Sequence, residues 1–502
     1  MSIISRLPFI SQVISNEGNT LSQRAFNAAT WVGITRTSTR MLETVRILIL
    51  ARLLAPSDFG LFGVATLSMS MFSTFSETGV SSALVQKDGE IDDYLNTAWT
   101  VQVVRGIVLC GITLIFAPLI ANFFSEPKAT HLIQALAFIP LIKGFANIGT
   151  IYFTKELNFK KQFQFETIGT ISVFVTTVVL AFIYRSPWVL VAGMLIGESL
   201  KASSSYLLHS FRPKISIDRD KLSELTHFGG WVWASTIVTF IALHGDDILV
   251  GRMVGVVALG YYQMAYRMAN IASTEVTNLI TQVTFPTYSI IQHDRKRLAS
   301  AFTRTLRLVS FATIPLTFLI FLFASDYIRL ALGEKWIAIT IPIQILAVSG
   351  FIRSISALWG ALYLSTKEPK HSFWKNLLRV ALIFIPIIPL TDRFGITGAS
   401  ISIILGISGA LIYDLIYTGL KWRNEIKVSQ ILLDIGLWLC ICLLLSIGIL
   451  SFKSYLSINF LSLILASFIF LGAYLGIGTT IEKRFRRLPI TNILASGQKK
   501  GS

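Results

Sequence analysis

Arg36, Arg40, Glu43 and Arg46 lie close together in one apolar segment. At 100° per residue the first three fall within about 60° of one another on a helix, and Arg46 about 60° beyond Glu43. Thr35, Thr39 and Thr44 add hydroxyls around this stripe, while Ile34, Met41, Val45 and Leu48 occupy the other side. A row of guanidinium groups suits a multivalent anion, because each planar fork donates to two oxygens at once. A second segment carries His244, Asp246 and Asp247, groups able to take up a proton or hold Na⁺. A third places Arg267, Asn270, Thr274 and Asn278 along one helical face with Glu275 beside it. These residues predict a basic wall and an acidic wall across one wet cavity. Arg36, Arg40, Arg46, Arg267, Asn270 and Asn278 are the candidates for binding the anion. Glu43, His244, Asp246, Asp247 and Glu275 are the candidates for ion coupling or charge pairing.

The elements that hold these groups are membrane helices. Of 502 residues 53% are hydrophobic and only 14% charged, and the mean hydropathy is +0.65, too apolar for a soluble protein. The apolar material comes in segments long enough to cross a hydrocarbon core of about 30 Å as helices. Alternation at the strand period is absent, which argues against a β-barrel. The fold class expected is all-α and polytopic, with about fourteen spans, the fourth centred near residue 142 and the last two near 441 and 470. Residues 1–30 are mixed and polar and do not read as a cleavable signal peptide. An ionisable group exposed to lipid costs about 3 kcal/mol, so the arginines within spans need a wet interior or a partner. Arg304, Arg307 and Arg379 lie near one membrane face and are expected to snorkel, and Lys201 to pair with Glu198 one turn away.

The chain also repeats itself. Trp31, Val32, Thr39, Arg52, Gly60 and Ala65 recur as Trp231, Val232, Thr239, Arg252, Gly260 and Ala265, with Phe62 matched by Tyr262. An internal repeat is a common construction of transporters. It predicts two pseudo-symmetric six-helix lobes, 1–215 and 216–425, two added helices over 426–485, and a basic tail over 486–502. In the repeat register Arg46 aligns with Asp246, so the two copies diverge in charge where the site is expected.

The net charge of +17 follows from loops. Basic residues concentrate in Lys160 and Lys161, Arg212 and Lys214, Arg295 to Arg297, and Lys483 to Arg487, all on one side of the expected topology. That bias puts both termini in the cytoplasm and removes any need for nucleic acid as a partner. Membrane lipids are the expected surroundings.

Arg52-Leu53-Leu54-Ala55-Pro56-Ser57-Asp58-Phe59-Gly60-Leu61-Phe62, then Glu77-Thr78-Gly79 and Ala83-Leu84-Val85-Gln86, form an ordered series of motifs. It continues through Asp247-Ile248-Leu249-Val250-Gly251-Arg252, Leu259-Gly260-Tyr261-Tyr262, Ala265-Tyr266-Arg267 and Phe285-Pro286-Thr287-Tyr288-Ser289. This series resembles the polysaccharide transporter family of the multidrug/oligosaccharidyl-lipid/polysaccharide exporter superfamily, and within it the Wzx-type subgroup that includes the colanic acid exporter. The likeness covers residues 30 to 310 well and the last four spans by hydropathy only. The resemblance implies a flippase of the bacterial inner membrane that carries an undecaprenyl-diphosphate-linked oligosaccharide by alternating access. It implies a role in O-antigen (lipopolysaccharide), capsule or exopolysaccharide synthesis, beside a polysaccharide polymerase and chain-length machinery.

No glycine-rich phosphate loop is present, so an ion gradient is expected to drive the cycle and no cofactor is called for. Cys110, Cys440 and Cys442 all lie in spans and suggest neither a disulfide nor a metal site. No catalytic constellation is recognisable, and no enzyme is predicted. Trp99, Trp188, Trp336 and Trp422 sit near span ends and read as interfacial anchors. Two other readings stay open: a multidrug or cation antiporter of the same superfamily, and a membrane scaffold or glycosyltransferase of the same pathway. Helix charge speaks against the antiporter, which would favour an acidic pocket.

Overall fold

The computed structural model describes residues 21–77, 79–87, 89–156, 158–226, 229–453 and 460–485. The expected basic tail, 486–502, and the side chains of Trp231, Val232, Glu275 and Asn278 lie outside the described residues. Among the described residues every regular element is a helix. The principal ones are α1 (Leu21–Leu53), α2 (Pro56–Phe75), α3 (Asp92–Phe123), α4 (Ala129–Leu136), α5 (Phe138–Gly144), α6 (Ile151–Lys155), α7 (Phe159–Ile183) and α8 (Trp188–Leu208). They continue as α9 (Gly229–Met253), α10 (Val256–Ile291), α11 (Arg295–Leu322), α12 (Thr340–Ser365), α13 (Pro369–Phe394), α14 (Ile396–Lys421), α15 (Val428–Lys453) and α16 (Phe460–Phe485).

Eight of these, α3, α7 and α11 through α16, are long and apolar enough to cross a bilayer. The pieces α4, α5 and α6 make a ninth if taken as one span bent by 72°. The chain is therefore an all-α, multi-pass membrane protein. The expected total of about fourteen also counts α1, α2, α8, α9 and α10, whose arginines, carboxylates and hydroxyls dilute their apolarity.

The motif from Arg52 to Phe62 is a helix stop followed by a helix start. Pro56 cannot follow a helical residue comfortably, and Ala55 is extended, with φ −79° and ψ 156°. Pro56 then opens α2, where a missing N–H costs nothing. The Asp58 carboxylate accepts the Ala55 N–H at 2.8 Å, closing the turn.

By contacts the chain divides into Met1–Gly260 and Tyr261–Ser502, a boundary inside α10. In the first unit α7 packs against α1 and α8, α3 against α5, and α9 against α2. Lipid tails give no hydrophobic drive between helices, so small residues carry this packing. A Cβ at Gly193 would meet Thr177 at 2.1 Å, and one at Gly197 would meet Val173 at 2.2 Å, which brings α8 onto α7.

In the second unit α13 pairs with α14, and α11 and α12 pack together. Phe302 and Trp359 sit edge to face, with ring centres 5.0 Å apart, in the buried cluster. The two added helices are docked on α11. Phe311 meets Trp438 at 5.0 Å and Tyr474 at 5.1 Å. Arg307 does not snorkel: its Nε reaches Asp434 of α15 at 2.6 Å, with both side chains largely buried. Three of the tryptophans expected as interfacial anchors are core residues instead, with Trp336 at 0%, Trp422 at 2% and Trp99 at 9% exposure. Their large apolar rings pack against protein; Trp336, for instance, sits edge-on to Tyr261 at 5.7 Å.

Candidate functional site: a broken span and two charged cavities

The basic stripe of α1 is present as a stripe. Arg36 and Arg40 are exposed, and Arg46 is half-buried. Arg40 reaches Glu43 at 3.2 Å, a partly exposed pair one turn apart. The hydroxyls around it are already used: Thr39 donates to Thr35 O and Thr44 to Arg40 O, both at 2.8 Å. Such bonds within a helix satisfy the hydroxyl, so the threonines do not act as free donors along the stripe. On α9, His244 and Asp247 approach to 3.7 Å and Asp246 is buried. Since α1 packs along α7 and α9 along α2, the basic and acidic stretches stand on different partner helices.

In the second unit Asn270, an expected ligand, is engaged by an arginine from another helix. Arg353 on α12 donates to Tyr266 Oη at 2.5 Å, to Asn270 Oδ1 at 2.6 Å and to Thr274 Oγ1 at 3.4 Å. The close approach needs Gly350, where a Cβ would fall 2.7 Å from Asn270 Oδ1. All three partners are neutral, and among the described residues no carboxylate pairs with Arg353. Arg267 is exposed on α10. Arg353 also lines a cavity of about 240 Å³ together with Ser356, Ser372, Lys375, Asn376 and Arg379.

Lys375 is anchored by a buried carboxylate. Asp414, fully buried, takes the Lys375 ammonium at 3.3 Å, the Ser356 hydroxyl at 2.5 Å and the Tyr363 hydroxyl at 2.7 Å. The ammonium donates to Ser356 O as well, at 3.0 Å. Periodicity had no way to select this pair, because the partners come from α13 and α14 and the charges are far apart in sequence.

The first unit holds a larger cavity, about 510 Å³, along the break between α5 and α6. Gln102, Arg105, Asn147, Phe153, Gln162 and Phe165 are among its walls. A broken helix inside a membrane protein exposes backbone groups that must find partners, and is tolerated where it lines a cavity. Here Gln102 Nε2 donates to Lys143 O at 2.8 Å and Gly144 O at 3.2 Å. Asn147 Oδ1 accepts the Gly149 N–H at 2.9 Å, and its Nδ2 donates to Phe211 O at 2.7 Å. Beside it, burial and the Lys161 ammonium hold the His209 imidazole below its usual range. It therefore stays neutral, and Nδ1 accepts the Phe211 N–H at 3.2 Å. Asn147→Ala is expected to destabilise the protein by about 2 kcal/mol, since two well-made buried bonds go and a backbone donor and acceptor are stranded. A lowered thermal unfolding midpoint in detergent would report it.

Lys201 pairs across helices with Glu166, at 2.6 Å, instead of with Glu198; Glu198 is taken by Lys143 at 3.2 Å. The expected span centred near residue 142 is this broken one. Its local signal was the run Gly144-Phe145-Ala146-Asn147-Ile148-Gly149, poor in helix formers.

Known proteins place this architecture. WzxC of Escherichia coli (strain K12), a lipopolysaccharide biosynthesis protein, is 25% identical over 81% of this chain and 82% of its own length. ExoT of Rhizobium meliloti (strain 1021), a succinoglycan biosynthesis transport protein, is 24% identical over 70% of this chain and 71% of its own. Among solved structures, the lipid II flippase MurJ in an inward closed conformation superposes with a TM-score of 0.73 at 17% identity. That match covers 91% of this chain and 99% of MurJ. An inward-facing multidrug transporter of the MATE family reaches 0.60 at 15% identity, over 79% and 98%. The likeness to both is one of fold. The family described as polysaccharide biosynthesis protein matches residues 49–341, more than half of the sequence, and this chain belongs to that family.

Proposed function

We propose that this protein flips a lipid-linked oligosaccharide, carried on undecaprenyl diphosphate, across the bacterial inner membrane during polysaccharide biosynthesis. The observation that carries the reading is Arg353, a cation in a membrane span whose partners among the described residues are all neutral and which faces a cavity. A diphosphate is the dense anion such a fork binds best. Arg36, exposed and without an ion pair among the described residues, is a further candidate for anion contact, as are Arg40, Arg46 and Arg267 by their place in the sequence. Asn270 then positions Arg353, and Asn278 is a further candidate by its spacing in the sequence alone. The headgroup crosses through the wet interior while the lipid tail stays in the bilayer, which avoids burying charge in hydrocarbon.

The lobes in this reading are 1–215 and 216–425, with 426–485 as accessory helices and both termini cytoplasmic. Glu43, His244, Asp246, Asp247 and Glu275 exchange a proton or Na⁺ or pair with the arginines between cycles. A polymerase and chain-length machinery receive the product.

The test is flipping in proteoliposomes. Arg353→Ala is expected to weaken transport about 10- to 100-fold, the worth of a charge-assisted bond to phosphate, with Arg353→Lys in between. Unchanged flipping by Arg353→Ala would rule out this contact, and the absence of any flipping by the wild type would rule out the function.

A further inference from the structure

We propose that the cavity in the first unit is a recognition subsite for uncharged sugar residues, so that the glycan portion it holds is neutral. The inference rests on the flippase reading for its context but on separate residues.

Every charged side chain on the cavity wall already has an opposite partner. Arg105 donates to Glu77 at 3.1 Å and, through the same guanidinium, to Ser76 Oγ at 3.0 Å and Ser73 O at 2.8 Å. Glu166 is held by Lys201 and Lys143 by Glu198. The wall is rich in ions yet balanced, and so offers an anionic ligand no uncompensated cation. This contrasts with the second unit, where the partners of Arg353 among the described residues are neutral.

A buried polar atom on the wall is unused among the described residues. Gln162 on α7 lines the cavity, and its Oε1 is buried without a hydrogen-bond partner among the described residues. A buried amide oxygen left unsatisfied costs about what a lost hydrogen bond costs, and its place on a cavity wall marks where a ligand donor belongs. Gln102 and Asn147, the other wall amides, are spent on the broken span and its neighbour Phe211. Phe153 and Phe165 add aromatic carbon to the same wall. Balanced charge, an open amide and apolar wall carbon fit a ligand that is both hydroxyl-rich and apolar on its ring faces. About 510 Å³ lies within the 300–1,000 Å³ usual for small-molecule pockets. The chemical class is a short neutral glycan.

The experiment uses the full chain in lipid nanodiscs, titrated with maltotriose and chitotriose as neutral probes and trigalacturonate as the acidic one, by saturation-transfer NMR. At least one neutral trisaccharide is expected to bind saturably, and trigalacturonate at least tenfold more weakly. Gln162→Leu should weaken the neutral probe about tenfold. Gln162→Glu, which keeps the acceptor, should hold within about threefold of wild type. Unbound neutral probes, preference for trigalacturonate, or indifference to Gln162→Leu would each overturn the proposal. Proteoliposome flipping of undecaprenyl-diphosphate-linked N-acetylglucosamine runs in parallel. Its failure in the wild type counts against the flippase reading, whereas normal flipping with an unaltered Gln162→Leu titration counts against the subsite alone.

Discussion

Gly60→Ala and Gly260→Ala should each abolish most of the folded yield of this protein. A Cβ at Gly60 would stand 1.9 Å from Val256 O, and one at Gly260 2.2 Å from Pro56 O. These are the symmetric contacts of the internal repeat: residue 60 meets 256 and residue 260 meets 56. The obstacle in both cases is a backbone carbonyl, which cannot rotate aside, so the start of α2 and the start of α10 would have to separate. Overpacking of this kind costs about 3 kcal/mol. Gly111, also in a membrane helix, has nothing within 4 Å of its Cβ position. Gly111→Ala is therefore expected to be neutral or slightly stabilising, since alanine is the better helix former. Expression in membranes and the unfolding midpoint of purified protein compare the three; equal midpoints would contradict the close crossing.

The second large effect lies at Asp414. Asp414→Ala would leave the Lys375 ammonium inside the second unit with hydroxyl and carbonyl oxygens but no counter-charge. Removing one partner of a buried pair costs about 3–5 kcal/mol, enough to unfold many domains. Lys375→Met should be damaging for the mirror reason, stranding a fully buried carboxylate. The double variant Lys375→Met with Asp414→Leu is expected to recover most of the loss, because apolar side chains of similar volume avoid the desolvation penalty of both ions. Thermal unfolding of the two single variants and the double forms a cycle; a double variant as unstable as the worse single would mean that the pair is not the unit of stabilisation.

What could be read from the sequence was whatever depends on neighbours along the chain. Apolarity over a span, the stop and start around Pro56, and the repeat from Trp31 and Trp231 are local or linear properties, and they specified the all-α membrane fold. The stripe of Arg36, Arg40 and Arg46 also follows from helical period alone, as does the Arg40–Glu43 pair. Partner choice does not. Lys201 had Glu198 one turn away yet pairs with Glu166, Arg307 meets Asp434, and Arg353 meets Asn270. Each choice depends on which helices lie side by side and on the direction each side chain takes from its own backbone. The broken span shows the same limit, because a kink in an apolar segment survives only if Gln102 and Asn147 are at hand to satisfy its backbone. Hydropathy determined where the chain enters the membrane; tertiary structure decided which charges are neutralised there and which are left to bind, since charge compensation is a property of neighbours in space.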